Sequence, residues 1–145
     1  MIKIIKKFLP QDLLVEILQY AQNSKNLHIW RTNLTSWNNT IVQKGHQVAI
    51  LKLDDFSKRL KSLYEEKGLI DNHMKAASTI YLNDLWDPDD GGLFLWKDQK
   101  NKLHVEAPEE NKMIFNSSSV PHAVSMITPD SSSLRLSIQI FFTND

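Results

Sequence analysis

Residues 120–142 read VPHAVSMITPDSSSLRLSIQIFF. The run is strand-like and apolar, yet it carries His122 on its way in and Arg135 thirteen residues later. Arg135 opens an alternating segment that is otherwise apolar or small. Two readings of the pair are open. His122 is a loop residue and Arg135 a strand-start charge facing water, or one binds a metal and the other an anion beside it.

Working outward, the segments upstream are of the same kind. "AASTIYLND", "GGLFLWKD", "KLHVEA" and "NKMIFNSS" are short strands divided by Pro, Gly, Asp, Asn and Ser clusters. Strands this short and this regularly spaced predict a sandwich or barrel. Before Gly68 the period is helical. "FLPQDLLVEILQYAQNS" sets Leu14, Ile17, Leu18 and Ala21 on one face behind Pro10 and Asp12. "DDFSKRLKSLYEEKG" does the same with Phe56, Leu60, Leu63 and Tyr64, with Asp54 or Asp55 to cap it and Gly68 to end it. A short strand that Ile2, Ile4 and Ile5 can start and a strand and loop in "LHIWRTNLTSWNNTIVQ" complete the pass. The expectation is an α+β fold, two N-terminal helices packed on an antiparallel jelly roll. It forms one domain, residues 1–145, helix-rich over 1–68 and with its jelly-roll core over 69–145.

Composition bounds the function. The chain has 145 residues, 17 basic and 17 acidic, so its formal net charge is zero. A nucleic-acid or membrane-surface binder needs a basic excess, which is absent. There is no cysteine, hence no disulfide, thiolate zinc site or iron–sulfur cluster. The apolar start "MIKIIKKFLPQDLL" is broken by Lys6, Lys7, Pro10 and Asp12, too short for a signal segment or a membrane span. A cytoplasmic protein is expected; its oligomeric state is not readable.

With no cysteine, His, Asp and Glu are the strong metal ligands available. Residues i and i+2 of a strand point the same way. "LIDNHMK" thereby sets Asp71 and His73 on one side of the backbone, just before "AASTIYLND". Convergence of these two with His122 would make two imidazoles and one carboxylate, the ligand set of non-haem Fe(II) oxygenases. A polar turn before a strand explains "LIDNHMK" equally simply.

Three blocks in order, "STIYLNDLWDPDDGGLFLW", "NKMIFNSSSVPHAVSMI" and "LRLSIQIFF", resemble the catalytic half of the 2-oxoglutarate/Fe(II)-dependent dioxygenases, in their prolyl-4-hydroxylase-like branch. The similarity covers about half the chain, roughly residues 69 to 142. The resemblance implies a double-stranded β-helix holding iron through an H-x-D pair and a distant histidine. 2-Oxoglutarate would chelate that iron, with its far carboxylate on a basic residue of a late strand. By position, His122 matches the distant histidine and Arg135 the oxoglutarate-binding arginine, with Ser137 completing an R-x-S pattern. Tyr81 matches a tyrosine that bonds the same carboxylate, and Gly91 and Gly92 match a Gly-Gly turn. The residue types suit these roles. Arg135 offers a rigid fork of donors to a carboxylate. Ser137 faces the same side two residues on, and Tyr81 adds a phenol on an apolar body.

The chain departs from the pattern in one respect: it contains no H-x-D. Asp71 and His73 stand near the expected place in reversed order, and neither register restores the motif, Lys75 or Leu69 standing at the missing position. Three outcomes follow. Asp71 and His73 ligate in reverse; or the site is lost and the fold serves as a binding domain; or His73 and His122 hold iron without a carboxylate, as related halogenases do. The implied function, in the first case, is hydroxylation of an unactivated C–H bond of a peptide or small molecule, with Fe(II) as cofactor and 2-oxoglutarate and O2 as co-substrates. His104 with Glu106 reads as a partly exposed strand pair and His46 as a turn. Trp30, Trp37, Trp86 and Trp96 are divided between core and a substrate mouth. "DLWDPDDGG" reads as an acidic surface turn without EF-hand spacing.

Overall fold

A computed structural model describes residues 1–23, 28–31, 47–50, 53–71, 74–117, 120–128, 131 and 135–143, with the backbone alone at 28–31 and 47–50. His46, Trp37 and His73 lie outside the described residues, as do the side chains of His28 and Trp30.

The elements run β1 (Ile2–Ile5), α1 (Gln11–Asn23), β2 (His28–Arg31), β3 (Gln47–Ile50), a 3-10 turn (Asp54–Phe56) leading into α2 (Ser57–Glu66), then β4 (Ala76–Tyr81). After a 3-10 turn at Pro88–Asp90 come β5 (Phe94–Lys97), β6 (Leu103–Glu106), β7 (Met113–Asn116), β8 (His122–Val124) and β9 (Ser137–Phe142). The helices fall where the apolar spacing puts them. Leu13, Leu14 and Ile17 of α1 and Leu60 and Tyr64 of α2 are buried. Neither Asp54 nor Asp55 caps α2. A 3-10 turn starts at Asp54, and the Ser57 hydroxyl donates to the Asp54 carbonyl. Gly68 ends the helix at φ 65°, with its N–H on the Glu65 carbonyl.

Two antiparallel sheets carry the rest. The larger has the order β1-β7-β4-β9 and the smaller β6-β5-β8; β2 and β3 pair separately. Strand alternation gives the larger sheet two different faces. Ser78, Ile80, Met113, Phe115 and Ile138 lie on the face against the helices, where Phe8, Leu14, Ile17, Leu60 and Tyr64 complete the main core. The Tyr64 hydroxyl meets Ser78 Oγ there, so the polar atoms that these residues bring into the core satisfy each other. The opposite face carries Thr79, Tyr81 and Ile114. It turns toward the smaller sheet, where Phe94 and Trp96 of β5 pack against it. This inter-sheet space is more polar than the helix-side core, and Tyr81 and Trp96 both border it. His122 opens β8, an edge strand of the smaller sheet among the described residues, rather than preceding the last strand; Arg135 stands just before β9.

Candidate active site

Tyr81 is the last residue of β4 and is fully buried. Its cross-strand neighbour is Ser137, the first residue of β9. Arg135 is brought alongside by backbone pinning. The Leu82 N–H donates to the Leu136 carbonyl at 3.0 Å, and the Leu136 N–H donates to Asn83 Oδ1 at 2.7 Å. The guanidinium carbon then sits 5.9 Å from the centre of the Tyr81 ring. The Gly-Gly turn makes this possible. A Cβ on Gly92 would stand 2.8 Å from Arg135 Cδ, and one on Gly91 2.0 Å from the Met126 carbonyl oxygen. Gly92 also has φ +64°. Gly92→Ala should therefore cost roughly 1–2 kcal/mol of stability from the left-handed backbone alone. It should also push the Arg135 stem aside. Urea unfolding and oxoglutarate titration would check both; an unchanged oxoglutarate affinity would separate Gly92 from the arginine's placement.

Buried side-chain nitrogens and oxygens normally have partners. Among the described residues, those without one are Tyr81 Oη, Trp96 Nε1, Arg135 Nε and Arg135 Nη1. Every one can donate a hydrogen bond, and all belong to residues on or beside the inter-sheet space. Burial pushes the Tyr81 phenol up to about 12, opposed by the charge of Arg135 and by the approach of its guanidinium to the phenol oxygen, at a geometry short of a full hydrogen bond. Burial also raises Tyr64, against its Ser78 bond. Both phenols are thus neutral donors at physiological pH. Below pH 10 the folded and unfolded chains hold these protons alike. Between pH 10 and 12 the unfolded chain releases protons that the fold retains, so stability falls as pH rises, by about 1.4 kcal/mol per pH unit for each tyrosine. Urea midpoints measured from pH 8 to 12 should fall above pH 10, and less steeply in Tyr81→Phe.

Ser137 is half-buried, and its Oγ accepts from Gln139 Nε2 at 3.2 Å, leaving its own proton to donate. Gln139 Oε1 in turn accepts from Thr79 at 2.8 Å.

His122 faces Trp96 across the β5–β8 pair and stacks on Phe94, ring centres 5.5 Å apart at 16°. Its Nδ1 lies 2.8 Å from the Val120 carbonyl oxygen and 3.2 Å from Asn116 Nδ2. The shorter contact requires a proton on Nδ1, since a carbonyl only accepts. Asn116 Nδ2 also lies 3.4 Å from the Val120 carbonyl oxygen, so it and His122 Nδ1 share that acceptor. Nε2 is left with the lone pair, the form in which histidine binds metal, and the second nitrogen is held by a carbonyl as metal ligands commonly are. A cleft of about 410 Å³ lies next to it, lined by Met1, Ile2, Trp96, Asp98, Val120 and Pro121 among others.

Asp71 is exposed, in a turn where its carbonyl accepts from the Met74 N–H at 3.4 Å. His73 lies outside the described residues. Among the described residues, no three His, Asp or Glu side chains gather as a metal-binding group. His104 and Glu106 do not act as a pair. His104 Nε2 lies 2.9 Å from Asp98 Oδ2, and its ring stacks on Trp96; Glu106 takes the Lys112 ammonium at 3.0 Å. The hydrogen bond to His104 holds the Asp98 carboxyl below its usual range. The acidic turn is a 3-10 turn capped by Asp87, and Trp86 donates to the Gly91 carbonyl at 2.9 Å. Sequence reading missed the Trp96 donor and the Asn116 contact with His122; neither belongs to a motif, and each depends on strand register.

The model of the 2OG-Fe(II) oxygenase superfamily matches residues 54–143, more than half of the chain. The chain belongs to this superfamily. No curated protein matches it. Among solved structures, it is similar to a Pseudomonas putida prolyl-4-hydroxylase, with TM-score 0.66, 17% identity, and 99% of this chain and 92% of that one covered. It is also similar to a Trichoplax adhaerens prolyl hydroxylase in complex with a hypoxia inducible factor oxygen degradation domain peptide fragment, with TM-score 0.63, 18% identity, and coverage of 99% and 83%. The double-stranded β-helix that the resemblance implied is therefore the fold, prolyl-4-hydroxylase-like in its architecture. Fe(II) and 2-oxoglutarate are implied by the superfamily. The orphaned donors of Tyr81 and Arg135 fit a carboxylate, and the free Nε2 of His122 fits one metal bond. Among the described residues no helix is long and apolar enough to cross a membrane.

Proposed function

We propose that this chain is an Fe(II)- and 2-oxoglutarate-dependent oxygenase that hydroxylates an unactivated C–H bond of a peptide or small molecule. The observation that carries the reading is the pair of neighbours Tyr81 and Arg135, whose buried phenol and guanidinium donors find no acceptor among the described residues. A buried donor set without an acceptor is costly unless a ligand completes it. A carboxylate accepts the arginine fork bidentately and the phenol besides. Ser137, cross-strand from Tyr81, adds a hydroxyl on the same side. His122 would hold the metal through Nε2, with Asp71 and His73 as its partners in reversed order. When bound, iron with 2-oxoglutarate and O2 supplies the oxidising chemistry, with succinate and CO2 as products. The protein's part is to fix the acid's orientation and to keep water from it. The substrate would approach through the cleft beside Pro121; a peptide is one class that fits, since the Trichoplax neighbour holds one.

The test is succinate formation from 2-oxoglutarate, with and without Fe(II). Iron-dependent turnover, even uncoupled from a substrate, supports the reading. Oxoglutarate binding without turnover at any iron concentration would leave a dicarboxylate-binding domain.

A further inference from the structure

Trp96 brings a buried indole N–H that has no acceptor among the described residues, and gripping one carboxylate with Tyr81 and Arg135 does not use it. We infer that this N–H is a third donor of the co-substrate pocket, taking an oxygen of the bound keto acid at the end away from Arg135. The inference rests on the oxoglutarate reading above. Trp96 packs against the cluster of Tyr81, Phe94 and Ile114, which places its ring in the inter-sheet space. It lies four residues beyond Gly92, the residue that the Arg135 stem crosses; that is roughly 13 Å of extended chain. The cross-strand neighbour of Trp96 is His122 on one side and His104 on the other. The indole therefore belongs to the metal-facing end of the pocket, opposite the guanidinium.

Its orientation is held from behind. The His104 ring lies on the indole at 4.0 Å and 11°, and Asp98 holds His104 in turn. A donor clamped this way loses little freedom when a ligand arrives. Buried tryptophans ordinarily place their N–H on a partner, as Trp86 does with the Gly91 carbonyl. Trp96 keeps its donor free in the same space as the unpaired phenol and guanidinium.

The experiment follows the indole N–H signals of the full chain by 1H–15N NMR during titration with 2-oxoglutarate in the presence of Zn(II), a redox-inert metal. The Trp96 signal is the one lost in Trp96→Phe and displaced in His104→Ala. It should move downfield on binding while the Trp86 signal stays. By calorimetry, Trp96→Phe should bind 2-oxoglutarate about ten- to hundredfold more weakly, the effect of losing one hydrogen bond to a charged group. Should Trp96→Phe fail to fold, the shift in the unsubstituted protein, assigned through His104→Ala, decides alone. If 2-oxoglutarate binds in an Arg135-dependent way while the Trp96 signal stays still, the inference is overturned and the oxoglutarate reading stands. If 2-oxoglutarate does not bind at all, that reading falls and takes the inference with it.

Discussion

Arg135→Ala should weaken 2-oxoglutarate binding by roughly 2–4 kcal/mol, because it removes one partner of a desolvated charge pair. Arg135 Nε and Nη1 are buried and unpaired among the described residues, so a bound carboxylate would be their partner. The guanidinium also lies against Tyr81, which stays neutral up to about 12 and cannot replace the lost charge. Arg135→Lys should recover little, since an ammonium lacks the planar fork. Metal affinity should stay near that of the parent in both variants. Calorimetric titration with 2-oxoglutarate over a fixed Zn(II) background measures this. Equal affinity in Arg135→Ala and the parent would mean that the unpaired guanidinium serves something other than this acid.

His122→Ala should lower Fe(II) affinity a hundredfold or more. Losing an outer-shell partner of a metal ligand already costs about 10–100-fold, and losing the ligand itself must exceed that. The structure supplies the reason for choosing His122: its Nδ1 is held by the Val120 carbonyl, so in the neutral ring Nε2 keeps its lone pair available. Titration with Fe(II) or Mn(II) under argon reads the affinity. The same titration on Asp71→Ala and His73→Ala separates the ligand sets. Losses comparable to that of His122→Ala would establish reversed ligation. A loss in His73→Ala alone would leave a two-histidine site. An unchanged dissociation constant in His122→Ala would remove this histidine from the metal altogether.

Much of the fold was legible because its signals are local. Helical spacing in residues 13–18 and 56–64 and short alternating segments after Gly68 each report which side of an element is buried, and burial is what the tertiary structure rewards. The order of motif blocks carried the superfamily, which the match over residues 54–143 shows. Local signals were weaker at element starts: a serine hydroxyl and a 3-10 turn begin α2, not an aspartate cap.

The sequence by itself determined two helices, an antiparallel jelly roll and a set of candidate site residues. Only the tertiary structure decided which of those residues meet. Arg135, Gly92 and Tyr81 come from three separate segments, and the arginine's path exists because Gly92 has no side chain in its way. Trp96 reads in sequence as one of four tryptophans divided between core and a substrate mouth. Pairing of β5 with β6 and β8 turns it inward beside His122 and leaves its N–H unpaired. The physical reason is that alternation fixes a side chain's face within its own strand, whereas its neighbours depend on register across strands distant in sequence.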